Sequence, residues 1–303
     1  MEIRRSLVDD PRWLAAAIGG ILSTIAALWA MRGLPLGFAA FWLTSLPIFA
    51  AGLGFGSGSA LGALGIGSLL MLFVAGEFAT MVYLVAFALP ATLMVLLGLR
   101  AGRLDASLPL VLTGLWPAIV ILLVAAFLAD YPGGIDGALT LSVEQGLARM
   151  GMAGTGMPVD QLTRIMAPAM AMWVMAALIA CGISAQSALT RRALALAPSP
   201  RWSETRLPLW YGALPAGAAL IWLSGMGGES SVPLSLLLVL LLPFFLGLAA
   251  VHRRSAGRTA RPFMLGVFYA GLVILSVPAA IAVTAFGFFE QWGRRHEPPG
   301  GKT

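Results

Sequence analysis

From Leu36 to Ala75 the chain runs 40 residues without one charged side chain. Charged groups are expensive in hydrocarbon and tolerable in water, so a bilayer selects such a stretch and an aqueous surface does not. One helical crossing takes about 20 apolar residues. The run therefore has room for two, and similar runs recur along most of the 303 residues.

On that ruler nine spans are expected, at 13–31, 35–54, 58–76, 78–99, 108–129, 165–189, 208–225, 232–251 and 262–288. The fold class is all-α: a polytopic transmembrane helical bundle of eight or nine spans. Residues 1–303 form a single integral membrane domain, in which 130–164 is an outer loop and 289–303 a polar tail. Seven spans contain a proline (Pro47, Pro90, Pro117, Pro168, Pro215, Pro243 and Pro278), and an internal proline kinks a helix by deleting one backbone bond.

Charge sets the orientation. The chain is 59% hydrophobic and only 11% charged, with a net charge of +6. Its basic residues fall in short loops, which argues for membrane orientation and against a nucleic-acid partner. Arg4, Arg5 and Arg12, with loops carrying Arg100, Arg103, Arg191, Arg192, Arg201, Arg206, Arg253, Arg254, Arg258 and Arg261, mark one side. The opposite loops carry Glu77, Asp130, Asp136, Glu144, Asp160 and Glu229, with only Arg32, Arg149 and Arg164 for balance. The positive-inside rule then places the amino terminus in the cytoplasm of a bacterial inner membrane. Nine spans would leave Arg294, Arg295 and Lys302 outside, against the same rule. A break at Pro278, giving eight spans or a re-entrant segment and an inner tail, is the alternative. The amino terminus shows no small-residue cleavage site, so its apolar run reads as a retained helix.

The outer segment 130–164 contains Leu139, Val143, Leu147 and Met150 at helical spacing, with Glu144 and Arg149 opposite. This periodicity predicts a short helix that rests on the leaflet or caps the bundle.

Small residues mark helix-packing or partner-docking faces: Ala15, Gly19 and Ser23 in the first helix, and Gly54, Gly58 and Gly62 spaced by four. The segment Leu46-Pro47-Ile48-Phe49-Ala50-Ala51-Gly52-Leu53-Gly54-Phe55-Gly56-Ser57-Gly58-Ser59-Ala60-Leu61-Gly62-Ala63-Leu64 resembles the proline, small-residue turn and glycine-spaced helix of substrate-binding (S) components of energy-coupling-factor transporters. The chain as a whole, including Gly287-Phe288-Phe289-Glu290-Gln291-Trp292-Gly293-Arg294-Arg295, is similar to the YybS-like family of uncharacterised bacterial polytopic membrane proteins. The resemblance implies a bundle that binds a small solute from the outer side and docks a transmembrane coupling subunit driven by ATPases. S components usually have about six helices, fewer than expected here.

Outer-facing candidates for substrate contact follow from the topology: Glu77, Tyr83, Asp130, Tyr131, Trp222 and Glu229. Acids at the rim of an apolar cavity suit a cationic or hydrogen-bond-donating ligand. The bland reading makes the acids solvated turn residues and the aromatics interfacial anchors. Catalysis, a cofactor and a metal site are not expected. Cys181 is alone, and the only histidines are His252 and His296 in predicted loop and tail. Gly182-Ile183-Ser184 lacks a histidine in any span to activate it. The terminal Gly300-Gly301-Lys302-Thr303 has no following helix to hold a phosphate. A non-catalytic scaffold acting through its glycine faces is the second reading.

Overall fold

Glycine, more than proline, sets the breaks in the first half of the computed structural model, which describes residues 10–100, 102–152, 158–200, 205–275 and 277–293. The charge-free run holds helices α2 (Gly37–Leu43), α3 (Leu46–Phe55) and the start of α4 (Ser57–Tyr83). Gly56 separates α3 from α4 at φ 104°, a value L-residues rarely adopt. Gly54 and Gly58 therefore lie on different helices, and the expected stripe of Gly54, Gly58 and Gly62 does not form on one. Gly76 breaks α4 internally at φ 81° and ψ −177°. A straight helix from Ser57 to Gly98 would be about 63 Å long, twice the hydrocarbon thickness. Instead a Cβ added at Gly67 would meet the Tyr83 hydroxyl, so the legs 57–75 and 77–98 lie side by side, turning at Gly76-Glu77 as the sequence predicts.

Pro90 has a different effect. It cannot donate to the carbonyl four residues back, and the helix loosens into a π-turn at Leu84–Ala88 before α5 (Leu89–Gly98). Pro47 and Pro278 fall in the first turn of a helix, where the missing N–H costs little. Pro117 and Pro168 do lie inside helices, α6 (Ser107–Phe127) and α8 (Val159–Arg191).

Among the described residues five helical stretches are long and apolar enough to cross a membrane: Pro11–Met31 (α1), Gly37–Phe55, Ser57–Gly98, Ser107–Phe127 and Val159–Arg191. Beyond them the expected spans are shorter or divided. Leu209–Gly212 forms a 3-10 turn leading into α9 (Ala213–Leu223). Expected span 232–251 becomes α10 (Val232–Leu241), a 3-10 turn at Leu242–Leu246 and α11 (Gly247–Ser255). The expected span 262–288 is replaced by α12 (Arg261–Leu275) and α13 (Val277–Gly293). Helix α13 thus runs five residues into the segment expected to be a polar tail. Its Gln291 is buried, accepting from Leu207 N–H at 3.2 Å and donating to the Thr205 carbonyl at 3.2 Å. Arg294, Arg295 and Lys302 lie outside the described residues. The predicted helix within 130–164 is α7 (Gly134–Arg149), with Val143 and Leu147 buried, Leu139 half-buried and Met150 exposed. The one sheet among the described residues pairs Leu99–Arg100 with Arg103–Leu104.

The chain divides into two compact units, Met1–Leu112 with Ala169–Pro200 and Thr113–Pro168 with Arg201–Thr303. In the first, α1 shows how these helices pack. It buries Ala16, Gly19, Gly20, Ser23, Thr24 and Ala27, and exposes Leu14, Ile18, Ile21, Leu22, Ile25 and Trp29. Small and hydroxyl side chains face inward and large apolar ones outward, the reverse of a water-soluble helix. Without a hydrophobic drive between helices in lipid, close backbone approach and hydrogen bonds hold them together. Those bonds are present. Ser23 Oγ donates to the Thr44 carbonyl at 2.7 Å and accepts from Tyr83 Oη at 2.9 Å, while Thr24 Oγ1 reaches the carbonyls of Gly20 (2.9 Å) and Gly67 (3.0 Å). Long apolar helices with apolar outer faces are compatible with a multi-pass membrane protein.

The second unit centres on Tyr211, fully buried and donating to the Leu240 carbonyl at 2.8 Å. Gly114 leaves room for its hydroxyl. Helices α11 and α13 cross at Gly247 and Gly287, where a Cβ would run into the Val283 and Phe244 carbonyls respectively.

Candidate functional site

Three helix beginnings converge on one cavity in the second unit. Gly133 and Gly134, at φ 76° and 60°, turn the chain from α6 into α7, a conformation other residues adopt only with strain. This puts Asp136 in the first turn of α7. Asp160 is in the first turn of α8, with Thr163 and Arg164 just after it, and Glu229, Ser230 and Ser231 precede α10. Acids in a first turn face the positive end of the helix dipole.

Two sets of contacts tie these beginnings together. The Asp136 carboxylate accepts from Ser231 N–H at 3.1 and 3.3 Å and from the Ser231 hydroxyl, joining α7 to the cap of α10. Thr140 Oγ1 bonds the Asp136 carbonyl at 2.9 Å and lies 3.3 Å from Thr163 Oγ1, joining α7 to α8. The cavity they frame has a volume of about 650 Å³ and is lined by Asp136, Thr140, Asp160, Thr163, Arg164 and Glu229 among others, a size within the usual range for small-molecule sites. Arg164, Glu229 and Ser230 also line a neighbouring cavity of about 100 Å³, together with Trp222.

Asp136 is committed to Ser231. Asp160, Arg164 and Glu229 make no ion pair or side-chain hydrogen bond among the described residues. Asp160 and Arg164 are four residues apart on one helix, the spacing that brings side chains within about 6 Å at Cβ. Their charges face the cavity without neutralising each other. No group of three His, Cys, Asp or Glu side chains among the described residues is placed to hold a metal ion.

Of the six residues expected to touch substrate, the structure brings Trp222 and Glu229 to these cavities. Asp130 and Tyr131 are exposed in the turn just before Gly133 and are absent from both linings. Glu77 is exposed beside the Gly76 break in the first unit. Tyr83 is wholly buried there, spent on its bond to Ser23. Of the expected packing or docking residues, Ala15 is half-buried, and a Cβ at Gly19 would press on Ala51 and the Pro47 carbonyl at 3.1 Å. One at Gly62 would sit 2.7 Å from Ala16 Cβ, and one at Gly54 would be 3.1 Å from Leu189. Only Gly58 has open space around it. Gly54 and Gly58 line another cavity of the first unit, about 640 Å³, with Asp10, Arg12, Trp13 and Ser57.

Asp136, Thr140, Asp160, Thr163 and Arg164 were not singled out from sequence as site residues. The signal for them was slight: acids three and two residues into helices, the first preceded by paired glycines. Comparison with protein-family models, curated proteins and solved structures gives no match for this chain.

Proposed function

We propose that this is a bacterial inner-membrane protein that binds a small solute at the polar cavity of its second unit and passes it across the membrane without catalysis of its own. One observation carries the reading: a cavity of about 650 Å³ walled by three helix beginnings and lined by the exposed charged groups Asp160, Arg164 and Glu229, which make no ion pair among the described residues. The loop charges support an outer location for this cavity and a cytoplasmic amino terminus. An S-component-like core, eight or nine crossings once the shorter helices are included, and a coupling subunit driven by ATPases belong to the same proposal. The scaffold reading draws less support, because Gly19 and Gly62 are taken up by contacts within the first unit.

Two experiments test this. With Cys181 replaced by alanine, a cysteine at Glu144 should react with an impermeant maleimide from outside intact spheroplasts, and one at Arg258 only after lysis; the reverse pattern refutes the orientation. Thermal-shift screening of the full chain in mild detergent against cationic, anionic, zwitterionic and neutral solutes should find stabilising ligands whose effect is lost when Ser230→Trp fills the cavity. A cooperatively folded protein that responds to none of them would end the solute-binding reading.

A further inference from the structure

The cavity's charge arrangement narrows the ligand, given the solute-binding reading above. We propose that it takes a small zwitterion carrying a primary ammonium and a carboxylate, of amino-acid type. Arg164 would receive the carboxylate, and Asp160 and Glu229 the ammonium.

The argument starts from spacing. Asp160 and Arg164, both exposed, occupy positions i and i+4 at the start of α8, a spacing from which their side chains can reach each other. No ion pair forms between them, although both side chains line the same cavity. Glu229 approaches from the loop before α10 and shares two cavity walls with Arg164. The site thus offers opposite charges about one helical turn apart, the dimension of a short amino acid. A simple cation would leave Arg164 unneutralised, and a simple anion would face two carboxylates. A guanidinium can bind a carboxylate through two parallel N–H donors, and a carboxylate accepts well from an ammonium, so each ligand end has a charge-assisted partner. The hydroxyls of Thr140 and Ser230, which line the same cavity, supply neutral hydrogen-bonding groups. Asp136 is excluded from the ligand set because Ser231 holds it.

The test uses the full chain in detergent or nanodiscs. Glycine, alanine and γ-aminobutyrate are compared with their carboxamides and their N-acetyl derivatives, by calorimetry and by thermal shift. The free zwitterions should bind, and blocking either end should weaken binding at least about tenfold, the effect of losing one interaction of about 1.4 kcal/mol. Arg164→Gln should remove the preference for the free carboxylate over the carboxamide, with Arg164→Lys retaining part of it. Glu229→Gln and Asp160→Asn should remove the preference for the free amine over the N-acetyl form. Melting of each variant without ligand checks that it folds. Equal binding of zwitterion and carboxamide, or an Arg164→Gln variant that folds and keeps full selectivity, overturns the assignment. So does the absence of zwitterion binding to the wild type. In that case a different solute class whose effect Ser230→Trp abolishes leaves the broader solute-binding reading standing, whereas no binding of any class removes both.

Discussion

Gly67 and Tyr83 should be energetically coupled, and the coupling can be worked out from the contact between the two legs of α4. A methyl added at Gly67 would overlap the Tyr83 hydroxyl and lie 3.3 Å from both the Gly20 carbonyl and Thr24 Oγ1. The Tyr83 side chain is fully buried. Overpacking of this kind costs about 1–3 kcal/mol, against which alanine's better helix propensity returns at most about 1 kcal/mol. Gly67→Ala should therefore destabilise the protein by about 1–2 kcal/mol. Tyr83→Phe loses the bond to Ser23, worth about 0.6 kcal/mol by the average for hydrogen bonds between membrane helices. The double variant removes the hydroxyl that the new methyl strikes. Its cost should fall short of the sum of the two single variants by about 1 kcal/mol, as expected for residues in direct contact. Gly58→Ala, with nothing within 4 Å, serves as the control and should be neutral or slightly stabilising. Cys181, the only cysteine, is buried in the same unit. Its labelling by a thiol-reactive fluorophore across a series of SDS fractions in mixed micelles therefore reports unfolding directly. Strict additivity, or a Gly67→Ala variant as stable as Gly58→Ala, would refute the antiparallel packing of the two legs.

Three further outcomes follow from the geometry. Asp136→Ala should destabilise the second unit by about 1–3 kcal/mol, since it strands the buried Ser231 beside water that only partly replaces the carboxylate; faster hydrogen exchange at Ser231 and its neighbours, with Asp136→Asn intermediate, is the readout. Gly287→Ala should be worse than Gly62→Ala in thermal melts: the first meets the Phe244 backbone carbonyl, which cannot rotate away, and the second only the Ala16 methyl. Arg254→Ala, which breaks a 2.7 Å contact with the largely buried Glu290 and a stacking contact 4.9 Å from the centroid of Phe286, should cost less than about 1 kcal/mol because Arg254 itself is 62% exposed. A loss above 3 kcal/mol there would contradict that estimate.

Much of the helical layout was legible because it follows from local chemistry. Charge-free length identifies apolar helices, and the single-residue turn at Glu77 was readable because a charge interrupts an otherwise unbroken apolar run. The spacing of Val143 and Leu147 announced α7 in the same way. The break at Gly56 was legible as the gap between the spans expected at 35–54 and 58–76; which of the glycines there would take the positive φ was not, because glycine is also tolerated within membrane helices. Pro278 was one of seven prolines with similar sequence settings, and nothing local distinguished those beginning a helix, Pro47 and Pro278, from those lying within one.

The sequence by itself determined that this chain forms long apolar helices, and the inward-facing small residues of α1 were already in their periodic places. What the tertiary structure alone decided was which polar groups meet. Tyr83 and Ser23, expected to serve a ligand and a partner respectively, satisfy each other inside the first unit, because a buried hydroxyl must find an acceptor and the nearest was one helix away. Asp136, Asp160, Arg164 and Glu229 come from three separate segments, so no local pattern could join them. The turn at Gly133-Gly134 and the bond from Asp136 to Ser231 bring those segments to one cavity, which Asp160, Arg164 and Glu229 line without an ion pair among the described residues.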